Sequence, residues 1–380
     1  MIRLFEVLGR KFPAWAVFAY AIVSPSSSAL RAQDFSPSPT SAPGNVKCWE
    51  APASIIVEAG VAADSTQGYF AESSGRLFAV ELASGEVLWV TEIGGNVRSE
   101  IVVSKGKVFI VTSESADGKP TRSVLRTLNT STGLSAWNLE LPASEKYFIE
   151  PTDQGVLAIS TDGNVFHLAK ADGTILWRSS TRGTIAIAPR LNNGRLLIAT
   201  EAKTVEEFDV TDVRRIASGK VNATPAYVGA GNNSTAVFSD PKGGVYSIKT
   251  DGSKNWKFRS GGRIVFIEPV DGNVLFGSAD NFVYFMSVES GNLAWKRRLP
   301  GRIANGGLIS PSSAIFTVIG ERSAYVIELN KGRLVDQISV TGEDAFLLTP
   351  VRANGKYLLA ATQKGLSAFS DDCENEKSGD

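Results

Sequence analysis

The side chains best suited to chemistry are few in this chain of 380 residues. There is one histidine, His167, and there are two cysteines, Cys48 and Cys373. A zinc site gathers three or four Cys, His or carboxylate ligands in one place, and one histidine with two distant cysteines does not supply them. A nucleophilic serine of the strand–turn–helix kind would announce itself as Gly-x-Ser-x-Gly, and a phosphate cradle as Gly-xxxx-Gly-Lys-Ser/Thr. Neither occurs, nor does an Asp-x-Asp-x-Asp-Gly loop for a hard cation. His167 lies in NVFHLAK, an alternating stretch, and reads as a partly buried strand residue. The basic run Lys296-Arg297-Arg298 with Arg302, and Arg214-Arg215 at the matching place two repeats earlier, read as solvated edges. Asn129, Asn222, Asn232 and Asn233 fit Asn-x-Ser/Thr, which matters only in a glycosylating host. No catalytic, cofactor-binding or metal-binding residue is expected.

What must position so little chemistry is a great deal of strand. Glycine numbers 36 and methionine 2, with many β-branched residues and little helical periodicity, which points to strands and tight turns. Lys plus Arg equals Asp plus Glu, at 39 each, so no net field favours nucleic acid or an anionic surface. Residues 1–32 have the basic start, short apolar run and small-residue end of a secretory signal. Residues 33–45 are a Ser/Pro-rich linker, and 374–380 an acidic tail. No segment after the signal is apolar enough to span a membrane.

A repeat organises the rest. Gly85–Trp89, Gly133–Trp137, Gly173–Trp177, Gly252–Trp256 and Gly291–Trp295 share one spacing, and Trp49 precedes the set. The period is near 40 residues, with one tryptophan missing; its place falls at Ile216, with Asp212 in the glycine's position. A further copy, Gly332 to Asp336, also lacks the indole. The stretch 113–123 reads as a polar insertion between two strands. Each period holds an apolar strand, an alternating strand, a Gly turn, the Trp strand and a less regular strand near a proline. Four strands in about 40 residues are the mark of a propeller blade. The expected fold is all-β: an eight-bladed propeller of four-stranded antiparallel blades over 46–373. The tryptophans belong to the framework, covering seams between blades.

The last copy stops before its Trp strand, while the N-terminus begins with an orphan one, VKCWEA. The ring closes if the N-terminal strand joins the C-terminal blade. Cys48 and Cys373 would then sit on adjacent strands, and an exported chain would join them in a disulfide. Closing so long a loop stabilises by roughly 4 to 5 kcal/mol in the chain-entropy view.

The units AVELASGEVLW, TLNTSTGLSAW, HLAKADGTILW, YSIKTDGSKNW and FMSVESGNLAW resemble the PQQ-like repeat of quinoprotein-type propellers. The likeness runs over roughly 46–372. Of that superfamily's branches, the chain is more similar to the BamB-like one, compact envelope scaffolds, than to the quinone- and calcium-binding dehydrogenases, whose long insertions and adjacent cysteine pair it lacks. It differs from the BamB-like branch in having no lipid-bearing cysteine after the signal. The resemblance implies a monomeric, non-catalytic protein without cofactor. Such a protein would be exported to the periplasm or beyond, peripheral to the outer membrane, and would bind other envelope proteins. The alternatives are a PQQ-dependent dehydrogenase or a propeller that takes a small molecule or glycan in its channel.

Overall fold

The computed structural model describes residues 45–373 apart from 53–55, 73–74, 186, 193, 212–214, 222–224, 226, 231–234, 250–252 and 342–343. The expected signal, nearly all of the linker, the acidic tail, Gly252 and Arg214 lie outside the described residues. The described chain is strand throughout and folds into eight antiparallel sheets that make a closed ring. Among the described residues no helix is long and apolar enough to cross a membrane.

Blades 1 to 7 follow chain order, each running from an innermost strand at the channel to an outermost strand at the rim. Blade 3 shows the pattern: Tyr147–Pro151, Gly155–Ser160, Asn164–Ala169 and Ile175–Ser180. Blade 8 is composite. Val351–Ala353, Tyr357–Thr362 and Gly365–Ser370 come from the C-terminal end, and Val46–Pro52 adds the outer strand, pairing Trp49 with Ala368 and Ala51 with Leu366. The N-terminal strand thus closes the ring.

The burial of each strand follows from its depth. In the second strand of blade 3, GVLAIS, every residue is buried, because neighbouring blades cover both faces of the sheet. The outer strand ILWRSS alternates exposed and half-buried, because the blades splay apart at the rim. The core is accordingly divided into eight clusters, each drawn from two adjacent blades. Phe109 and Val111 of blade 2 pack with Tyr147 and Val156 of blade 3, and Val237 of blade 5 packs with Phe276 and Met286 of blade 6. Burying one such Phe is worth roughly 1.5–3 kcal/mol, so each seam is an apolar joint in its own right.

Two details differ from the sequence reading. Residues 113–123 form no inserted loop. The second and third strands of blade 2 lengthen to Lys107–Ala116 and Lys119–Asn129, and pairing continues to Ala116 opposite Lys119. Asp117 and Gly118 both have positive φ, 52° and 74°, as a two-residue hairpin turn requires. The missing tryptophan's place is Ala217 rather than Ile216: a bulge skips Ile216, and Glu207 pairs with Ala217 as His167 pairs with Trp177.

Candidate functional site

The repeated residues meet across seams, not within their own unit. Trp89 of blade 1 donates its indole N–H to Thr130 O of blade 2 at 2.7 Å, and Trp137 of blade 2 donates to Lys170 O of blade 3 at 2.9 Å. Trp49, Trp177, Trp256 and Trp295 likewise reach Leu82 O, Val210 O, Val288 O and Leu329 O, each in the next blade, at 2.7–2.9 Å. The ring of each indole lies on the next blade's glycine: Trp49 on Gly85, Trp89 on Gly133, Trp137 on Gly173, Trp256 on Gly291 and Trp295 on Gly332. A Cβ on Gly133 would stand 2.6 Å from Trp89 Cδ2, and its φ of 67° is one that side chains disfavour. The register shifts by one residue just before each of these tryptophans, which turns the indole toward the neighbour.

The seam between blades 7 and 8 is built differently. Asp336 occupies the tryptophan's place, and Asn45, four residues before Trp49, occupies the glycine's. The Asn45 amide donates to the Asp336 carboxylate, so a polar pair takes the place of an indole and a glycine. Beside it, Cys48 and Cys373 are bonded, with Cα atoms 5.3 Å apart. Cys373 corresponds in register to Ser84 of the turn in blade 1, so the disulfide stands where the other blades have a covalent turn between third and fourth strands.

The channel holds a group of charges that the sequence reading missed. One register position of the innermost strand faces the axis in every blade, and is occupied in order by Ala62, Val102, Glu150, Arg190, Gly229, Glu268, Gly307 and Val351. Arg190 of blade 4 bonds Glu268 of blade 6 at 3.1 Å. In register between them, blade 5 has Gly229. Burial pushes the Glu150 carboxyl up to about 7, against the pull of Arg190 and with Glu100 and Glu268 adding like charge. Burial also raises Glu268, Arg190 opposing it. The signal was in the sequence: Phe-Ile-Glu-Pro occurs at 148–151 and again at 266–269. This layer can hold charge and a proton. Among the described residues no group of three or more His, Cys, Asp or Glu side chains is placed to hold a metal ion.

His167 is buried and lines a cleft of about 560 Å³ together with Thr152, Asp153 and Lys105. Thr152 Oγ1 accepts the Gly155 N–H at 2.9 Å and lies 2.8 Å from His167 Nε2. The Thr152 hydroxyl and His167 Nε2 thus share one hydrogen bond, its donor set by the ring's tautomer. Nδ1 has no hydrogen-bond partner, and the imidazole meets Trp177 edge-on, centroids 5.3 Å apart. Burial lowers its pKa, so the ring stays neutral. The arrangement fastens a turn. Of the basic run, Lys296 and Arg298 are exposed and Arg297 donates to Gly332 O at 2.6 Å across the seam.

Comparison with known proteins places this ring. The chain is 28% identical over 325 residues to the outer membrane protein assembly factor BamB of Yersinia pestis, covering 83% of this chain and 72% of that one. The protein of the same name from Moranella endobia is 24% identical over 313 residues, covering 82% and 71%. The crystal structure of BamB from Moraxella catarrhalis shares the fold, with a TM-score of 0.60 at 15% identity over 85% of this chain and all of that one. A family model described as outer membrane protein assembly factor BamB matches residues 40–150, 144–218 and 214–377. With almost the whole ring inside those matches, the chain belongs to the BamB family of outer membrane protein assembly factors.

Proposed function

We propose that the protein is a non-catalytic, exported scaffold that binds other proteins at the cell envelope and serves in outer-membrane protein assembly. The observation that carries this reading is the family match across all eight blades, from residue 40 to 377. The described architecture supports it. The repeated tryptophans and glycines are spent on seams, the one histidine fastens a turn, and the side chains left over lie on rims and faces, where partners dock. On this reading the ring works as a monomer, and residues 46–373 form the working domain behind a removed signal of residues 1–32 and a linker of 33–45.

The test is capture. The chain from residue 33, immobilised, is exposed to detergent-solubilised envelope of its own source, and retained proteins are identified by mass spectrometry. Recovery of barrel-assembly proteins or unfolded barrel precursors above a scrambled-surface control supports the reading. Retention of neither, from a chain whose circular dichroism shows it folded, refutes it.

A further inference from the structure

The chain carries no net charge, yet its rim is not neutral blade by blade. On the outermost strands, Lys257 and Arg259 follow Trp256 in blade 5 and Lys296 and Arg298 follow Trp295 in blade 6, while Arg263 and Arg302 stand at the entry to the innermost strands of blades 6 and 7. All six are exposed, and none forms an ion pair among the described residues. Lys257 lies over the Tyr246 ring at 5.1 Å and Lys296 over Phe282 at 5.2 Å, which steadies both stems while leaving the ammonium groups in solvent. Asp240, which feels the charge of Arg259, is buried. Burial pushes Asp240 up, but hydrogen bonds from Tyr246 and from the Gly244 and Lys242 amides, with Arg259 alongside, hold its carboxyl below the usual range. In an eight-bladed ring blades 1 and 2 stand opposite blades 5 and 6, and there the third residue after the tryptophan is Glu92 and Glu140, both exposed.

We infer that the blade 5–6 rim docks on the phosphate headgroups of an anionic lipid surface, and that the ring therefore stands edge-on to the membrane. The Arg259 and Arg298 guanidinium groups match phosphate oxygens two at a time, and the Lys257 and Lys296 ammonium groups add charge beside them. These four lie on the outermost strands, the convex edge of the ring, which can rest on a plane. Blade 1, opposite blade 5, carries Glu81, Glu86 and Glu92 exposed on its outer part with Arg76 its one basic residue, and is repelled by the same surface, so the blade 5–6 edge is the one that faces it. Edge-on seating leaves both loop faces and the channel open to proteins. The inference rests on the assembly reading for one choice alone, a membrane over an acidic protein as the occupant.

The test is co-sedimentation of the full chain with vesicles of phosphatidylcholine alone or with phosphatidylglycerol added, at low and physiological salt. The readout is the ratio of anionic to neutral partitioning, which cancels any apolar contribution of the N-terminal segment. The ratio is expected to be large at low salt and to fall as salt rises. A quadruple variant, Lys257→Gln, Arg259→Gln, Lys296→Gln and Arg298→Gln, should lower it by roughly two to three orders of magnitude, at about fivefold per basic side chain near a charged surface. Glu92→Gln with Glu140→Gln changes net charge by two on the far edge and should leave the ratio within about twofold, since those sites lie beyond the Debye length from the bound edge. An anionic-to-neutral ratio near one, a ratio unchanged in the folded quadruple variant, or retention on immobilised polyglutamate without vesicle binding overturns the inference. No protein partner enters this assay, so its failure beside successful capture of assembly proteins would remove the edge-on docking and leave the scaffold function standing.

Discussion

Glu150→Gln should stabilise the protein at neutral and alkaline pH and leave it unchanged in mild acid. Glu150 sits in the channel layer between Val102 and Arg190, and its carboxyl is raised from 4.5 to about 7, first by burial. A raised carboxyl means that the folded chain binds a proton which the unfolded chain releases between pH 4.5 and 7. Stability from this site is therefore full below about pH 4.5, falls as pH rises through the folded value, and is lost above it. At about 1.4 kcal/mol per unit, ionised Glu150 costs roughly 3 kcal/mol at pH 8. Glutamine resembles the protonated acid and removes that cost. Urea unfolding of wild type and variant at pH 4.5, 5.5, 6.5 and 8 reads the difference directly, and other titrating groups cancel because both chains carry them. The variant's advantage should grow from near zero at pH 4.5 to a few kcal/mol at pH 8. A difference that is flat across this range, or that favours wild type at pH 8, would refute the reasoning, because the carboxylate would then be as well solvated or paired in the channel as in the unfolded chain.

Other perturbations act on the seams. Gly133→Ala drives a Cβ into Trp89 at a positive φ and should cost about 2–4 kcal/mol by chemical denaturation; Trp89→Leu should cost a similar amount alone but markedly less in the Gly133→Ala background, since the two share one contact. Cys48→Ser with Cys373→Ser should lower stability by about 2–5 kcal/mol, with mass-spectrometric peptide mapping confirming the native link beforehand. Asp336→Ala leaves the Asn45 amide without its acceptor and should cost about 1 kcal/mol, with a double-mutant cycle against Asn45→Ala recovering most of it as coupling.

The framework was legible in the sequence because most seams use the same two residues. A tryptophan at one spacing from a glycine turn is a local pattern, and five copies at a period near 40 leave little choice of fold. What the pattern does not reveal is which copy touches which. Gly85 and Trp89 are neighbours in sequence, yet Gly85 meets Trp49 and Trp89 meets Gly133. The shift at blade 4 from Ile216 to Ala217 has a similar origin: Ile216 is the more apolar candidate, and only the pairing of Glu207 shows that the bulge passes it by. The polar stretch at 113–123 reads as a loop because strands at a rim can be hydrophilic on both faces. Its Asp117-Gly118 step was the available hint of a hairpin. The channel charges escaped notice because they are single residues in the least regular strand, and their meaning appears only when blades are laid over one another in register.

That comparison is also the way to separate work from architecture in a repeat protein. Where every blade must solve the same packing problem, the residues that solve it recur: the seam tryptophans, their glycines and the apolar second strands. A position that varies between blades while its backbone register stays fixed is free of that demand. At the axis-facing position, Glu150, Arg190 and Glu268 stand among alanine, valine and glycine, and Arg190 pairs with Glu268 across a blade whose own residue there is Gly229. Three residues past the tryptophan, Glu92 and Glu140 face one side of the ring while Arg259 and Arg298 face the other. Neither set improves a seam, and the buried Glu150 carboxylate of the first weakens the fold above pH 7. Charges that cost stability or stand unpaired mark where a use outside the framework is to be sought, and among the described residues the channel layer and the blade 5–6 rim are two such places.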